Sequence, residues 1–101
     1  MSDSLKYGLS EKVISSLKIV FLRHPQIQKV ILYGSRAKGN FKPGSDIDLT
    51  LVAPQIDLTE LLKIENEIED LLLPYKVDLS LFHQIENKDL IEHIQRVGAE
   101  F

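Results

Sequence analysis

Hydrophobic positions along this chain change period several times, and each change marks an element. Over residues 10–23, Val13, Ile14, Leu17, Val20 and Phe21 recur at helical spacing, with Ser10 in place to cap the start. Pro25 stops that helix, because proline has no amide to donate and pushes the residue before it out of helical conformation. Residues 29–33 (KVILY) are short, β-branched and aromatic, which predicts a buried strand ended by Gly34-Ser35. Two glycines and a proline make residues 38–45 a loop. Residues 46–53 alternate strictly: Asp46, Asp48 and Thr50 face one way, and Ile47, Leu49 and Leu51 the other. Helical spacing returns over residues 59–73, with Thr59 as cap, Leu61, Leu62, Ile64, Ile68, Leu71 and Leu72 as the apolar stripe, and Pro74 beyond its end. Residues 76–82 alternate again, setting Val77, Leu79 and Leu81 against Asp78 and Ser80. A last helix covers residues 87–97, with Asn87 as cap and Gly98 suited to its C-terminal end.

The predicted order is α-β-β-α-β-α. It implies an α/β (α+β) fold: a small mixed three-stranded sheet with helices packed on one face. The strand faces that carry aspartates would then be the open side, since a core would not tolerate them. No repeat, low-complexity tract or linker interrupts the pattern, so residues 1–101 are expected to form a single domain.

Composition narrows the classes. Twelve basic residues against 15 acidic ones leave a formal charge of -3, which argues against strong nucleic-acid binding, where a basic excess is the rule. It leaves room for a nucleotide, because magnesium neutralises phosphate locally. The absence of cysteine excludes disulfides, a thiolate nucleophile and Cys-ligated zinc. No apolar run reaches the ~18 residues of a membrane span. The segment MSDSLKYG lacks the basic and apolar regions of a signal peptide, so the expected setting is cytoplasmic, with no membrane partner.

Three features then follow in order: Gly34-Ser35, Asp46-x-Asp48 and Asp78. Glycine at a strand end lets the backbone turn sharply and approach a ligand, and a helical turn starting at Ser35 would aim free amides at phosphate oxygens. Arg36 and Lys38 would add positive charge beside it. Period-two spacing puts the carboxylates of Asp46 and Asp48 on one face, their α-carbons roughly 7 Å apart. Adjacent carboxylates raise each other's pKa unless a cation lies between them, and magnesium is commonly held by one or two carboxylates plus substrate phosphates. Asp78 sits on the matching face of the third strand. If that strand neighbours residues 46–53, the three carboxylates converge on a site for two magnesium ions. Each feature alone has a plain alternative: an ordinary turn, a solvated acidic face, an edge charge, a loop cation. Together they make one coherent site.

At these residues the chain resembles the DNA polymerase beta nucleotidyltransferase superfamily and, more narrowly, its minimal nucleotidyltransferase (MNT) domains. Gly34-Ser35-Arg36-Ala37-Lys38-Gly39 matches the Gly-Ser-x-Ala-Arg/Lys-Gly segment, Ser45-Asp46-Ile47-Asp48-Leu49 the Ser-Asp-x-Asp-Leu segment, and Val77-Asp78-Leu79 the strand of the third carboxylate. The resemblance runs from about Val30 to Gly98. It implies a palm-like core, with Gly34 and Ser35 on the triphosphate of ATP or another NTP. Asp46 and Asp48 would hold two Mg2+ ions, and Asp78 would complete one metal site and help activate the acceptor. The implied reaction is hydroxyl attack on the α-phosphorus with release of pyrophosphate. MNT proteins are commonly paired with a HEPN-type helical protein, either as a two-component nucleotidyltransferase or as a toxin–antitoxin pair in which AMP passes to a tyrosine of the toxin. With 101 residues and no further helical domain, a partner is expected to supply the acceptor or its binding surface.

Other signals fail. Gly34 and Gly39 have Walker A spacing, but Asn40-Phe41 stands where Lys and Ser/Thr are needed. Asp46, Asp48 and Thr50 begin like an EF-hand loop, but Leu51 replaces its glycine. His24, His83 and His93 lack metal-site spacing and read as surface or packing residues, and Tyr33 as strand packing. Two other functions stay open beside the enzyme. One is a binding antitoxin or nucleotide-binding subunit that acts by contact alone. The other is an antibiotic-modifying nucleotidyltransferase, which lacks a second domain to form a drug pocket. Homo-oligomerisation through an uncovered sheet edge or helix face is compatible with the sequence.

Overall fold

The structure, a computed structural model, describes residues 5–101. Helix α1 (Glu11–Leu22) is capped as expected: the Ser10 side chain accepts from the Val13 amide. Strand β1 (Lys29–Tyr33) runs directly into a short helix α2 (Gly34–Lys38). After the loop comes β2 (Ile47–Val52), then α3 (Leu58–Glu69) and β3 (Val77–Leu81). A 3-10 turn (Phe82–Gln84) leads to α4 (Lys88–Val97), and the chain ends in β4 (Ala99–Glu100). Asn87 caps α4, accepting from the Leu90 amide. Asp57, not Thr59, caps α3 and accepts from the Glu60 amide, so that helix begins earlier than the sequence suggested. It also ends earlier, at Glu69.

The mixed α/β class holds, with four strands rather than three, in the order β3-β2-β1-β4. Strands β1 and β2 are antiparallel, β2 and β3 parallel, and β4 pairs antiparallel with β1. The added strand is two residues long and has no periodicity to read. Gly98 allows it. A Cβ there would meet the Ile94 carbonyl at 2.3 Å and Ile31 Cγ2 at 2.7 Å, so only glycine lets the chain leave α4 this close to β1.

The two sheet faces differ sharply. Val30, Leu32, Ile47, Leu49, Leu51, Leu79 and Leu81 join Leu17, Val20 and Phe21 of α1 and Leu61, Ile64 and Ile68 of α3 in one dry core. The alternate residues line the second face: Ile31 and Tyr33, Asp48 and Thr50, Asp78 and Ser80. The expectation of helices on one face alone is corrected here. Helix α4 lies against the second face, with His93 edge-on to Tyr33 at 6.2 Å between ring centroids and Gly98 against Ile31. The other end of that face, around the aspartates, is left open.

Candidate active site

The register of β2 and β3 brings the sequence-predicted carboxylates together. Asp48 stands directly opposite Asp78, and Thr50 opposite Ser80, in the parallel pairing. Neighbouring strands lie about 4.8 Å apart, so two carboxylates on one face of such a pair are in close opposition. The Ser80 hydroxyl donates to Thr50 Oγ1 at 2.9 Å, which satisfies the buried end of this polar row. Asp46 lies just before β2, exposed and near enough to act on Asp48.

The electrostatics follow from the crowding. The Asp48 carboxyl is held above its usual range, first by partial burial and then by the charges of Asp78 and Asp46, with His93 and Lys76 pulling the other way. Tyr33, across the β1–β2 pair from Asp48, is also raised. Burial is the main cause, a hydrogen bond with Ser80 opposes it, and Asp48 and Asp78 add to it. A cation among these oxygens would relieve the repulsion, and an all-carboxylate donor set suits a hard ion such as magnesium. Among the described residues, no three ligating side chains are already drawn to a common point.

The turn into α2 reaches the same place. Gly34 has φ 75°, and a Cβ on it would sit 2.3 Å from Asp48 Oδ2. Only glycine permits both the left-handed backbone and this approach of turn to carboxylate. The Gly34 amide donates to His93 Nε2 at 3.1 Å. Ser35 follows inside the first turn of α2, where backbone amides have no intrahelical acceptor and the helix end carries partial positive charge.

Of the two cations expected beside the phosphate turn, Arg36 is committed elsewhere and Lys38 faces solvent. Arg36 and Lys38 occupy the last turn of α2, at its carbonyl end. The Arg36 side chain is 1% exposed and spends its donors on backbone carbonyls of Ser45, Tyr7 and Pro43. Its guanidinium also lies over the rings of Phe41 and Tyr75, 5.1 and 4.9 Å from their centroids. It ties together the N-terminal turn and the loop that delivers Asp46, and has no free fork for phosphate. Lys38 is exposed. His93, by contrast, read as a packing residue in the sequence and stands in the site. Its separation of 59 residues from Gly34 leaves no local signal that could have found it.

With this geometry in view, comparison with known proteins is decisive. The sequence model of the family "Polymerase beta, Nucleotidyltransferase" matches residues 15–100. The chain belongs to the polymerase beta nucleotidyltransferase family. No curated protein matches it significantly. Three solved structures resemble this nucleotidyltransferase in fold. One is a toxin–antitoxin structure with AMP-PNP, 24% identical over 91% of this chain and 72% of its own, at TM-score 0.69. The second is the toxin–antitoxin MntA-HpeT with a tyrosine-to-alanine substitution, 23% identical over 92% and 72%, at TM-score 0.68. The third is MntA-HpeT with two aspartate-to-glutamate substitutions, 20% identical over 88% and 68%, at TM-score 0.62. At these identities the likeness is one of fold.

Proposed function

We propose that this nucleotidyltransferase, read as one domain over residues 1–101, transfers AMP from ATP to a hydroxyl of a partner protein and releases pyrophosphate. The observation that carries the reading is the register pairing of Asp48 with Asp78 beside the glycine turn. Asp46 and Asp48 would hold two magnesium ions, and Asp78 would complete one of the two sites. Magnesium, when bound, neutralises the triphosphate and lowers the pKa of a hydroxyl on it. Gly34 lets the turn approach the phosphates, and Ser35 donates its amide and hydroxyl to them. Asp78 is placed to accept the acceptor's proton. The hydroxyl oxygen forms a bond to the α-phosphorus while the bond to the bridging oxygen breaks, and pyrophosphate leaves with that pair of electrons. Arg36 acts through the loop it anchors, and exposed Lys38 is the cation left free to meet the nucleotide.

Three of the fold neighbours are toxin–antitoxin structures, one of them with AMP-PNP. They favour a toxin–antitoxin setting; ATP as donor and a HEPN-type helical toxin as acceptor come from the family resemblance of the Gly34-Ser35, Asp46-x-Asp48 and Asp78 segments. Use of ATP favours a cytoplasmic site, and among the described residues no helix is long and apolar enough to cross a membrane. The test is incubation with α-labelled ATP and magnesium, with and without the partner. Label on the partner, lost in an Asp46→Ala/Asp48→Ala variant, is the expected result. A variant that neutralises the toxin fully without labelling it would overturn transfer in favour of action by contact.

A further inference from the structure

A groove of about 590 Å³ runs between α3 and the outer edge of β3, and Asp78 forms one end of its wall. Strand β3 is terminal in the sheet. The Ile47 amide donates to the Lys76 carbonyl, so in this parallel pair the even-numbered residues of β3 bond to β2. Val77 and Leu79 therefore turn their amides and carbonyls outward, and no strand among the described residues pairs with them. An open edge of this kind is a template for another strand. Ile68 of α3 and Leu72 and Leu73 after it give the groove an apolar lining. Leu72 is 87% exposed and so stands at the groove's rim. Glu65 and Glu69 line the α3 side.

We infer that this groove is the acceptor subsite: an extended segment of the partner protein adds as a strand to the β3 edge and presents its hydroxyl at Asp78. The inference rests on the transfer reading above. Side chains alternate along a strand, so one set faces α3 and the next faces the aspartates. The segment thus carries a hydroxyl residue with apolar neighbours on both sides, which fill the space at Ile68 and Leu72. A basic residue among the groove-facing ones meets Glu65 and Glu69. Backbone pairing supplies affinity, and the alternating pockets supply selectivity. This gives a small domain a way to choose a protein hydroxyl over a free sugar or water.

The test uses the full chain, magnesium and α-labelled ATP. The probe is a library of synthetic peptides of about six residues, the usual length of a strand, with Tyr, Ser or Thr near the centre. Two variants disrupt the groove and keep every aspartate side chain of the site. Leu72→Glu puts a charge on its apolar rim, and Leu72 is too exposed to contribute to the core. Val77→Pro removes one outward amide at the first residue of an edge strand, where proline is tolerated. The expected result is label on peptides with apolar residues flanking the hydroxyl, reduced about tenfold in each variant, with ATP affinity unchanged. Equal labelling by wild type and both variants overturns the groove and leaves transfer standing. Label independent of flanking residues, or no label on any peptide while Mg–ATP binds, also overturns it. Failure of the wild type to bind Mg–ATP overturns the transfer reading itself.

Discussion

Among the described residues, the glutamates of α3 and the aspartates at the open end of the sheet are treated differently: the first are directly paired with basic side chains, and the second are not. At the end of α1, His24 is held between two glutamates of α3, with Nδ1 2.8 Å from Glu60 and Nε2 2.7 Å from Glu67. Arg23 adds a second cation to Glu67. Burial would raise the Glu67 carboxyl, but the hydrogen bond and charge of His24, together with Arg23, outweigh it and hold the group below its usual value. At the open end of the sheet, Asp46, Asp48 and Asp78 act on one another, and Asp48 is held above its usual value. The first cluster staples two helices. In the second the mutual repulsion is left standing, and a cation among those carboxylates would relieve it.

The largest effect should come from removing the unneutralised site. Asp48→Ala is expected to cut transfer by about 10²–10³-fold or more, the scale of losing one essential electrostatic contact, while leaving stability unchanged or slightly raised. Activity measured beside a thermal melt checks both halves. A large loss of stability in that variant would show that Asp48 is structural, like Glu67. Next comes Arg36→Met, which removes a buried guanidinium and strands three carbonyls; a loss of about 3–5 kcal/mol is expected, measured by urea unfolding. Arg36→Lys should not restore it, because lysine lacks the planar fork.

Gly34→Ala is expected to cost about 1–2 kcal/mol from its positive φ, and more than that in transfer, because the new Cβ meets Asp48. Kinetics and melts on one preparation separate the two. His24→Ala should destabilise by about 1–3 kcal/mol through unpaired glutamates, with ATP affinity unaltered, as calorimetry would show. The smallest effect is in pH. Asp48 has a raised folded pKa, so on acidification of the metal-free protein it takes up its proton above the ordinary Asp value and stability rises through that window. Glu67 has a lowered one, so its contribution is present above the ordinary Glu value and is lost as pH falls through the folded value. Saturating magnesium should abolish the first change and leave the second, when melts are run as a pH series.

Much of the arrangement of the candidate site was legible in the sequence. Alternation placed Asp46, Asp48 and Asp78 on one face because strand periodicity is a local, steric property, and Gly34 marked a turn because few residues accept positive φ. Arg36 was misjudged because a residue's charge does not tell which way its side chain runs; the loop carbonyls and two aromatic rings that hold it come from three separate segments. His93 and β4 were missed for a related reason. A lone histidine far from Gly34 and a two-residue strand have no pattern of their own and exist as features only once α4 crosses the second face.

The sequence by itself determined the period of each main strand and helix, the split between apolar and acidic faces, and the order of turn and carboxylates, all of which depend on bonded neighbours and short-range sterics. Tertiary structure alone decided that β2 and β3 pair in the register that sets Asp48 against Asp78, that α4 lies on the second face, that Arg36 is buried, and that β3 is the terminal strand among the described residues, beside the site. Those outcomes depend on which distant surfaces exclude water together, and no local window of the chain contains both surfaces.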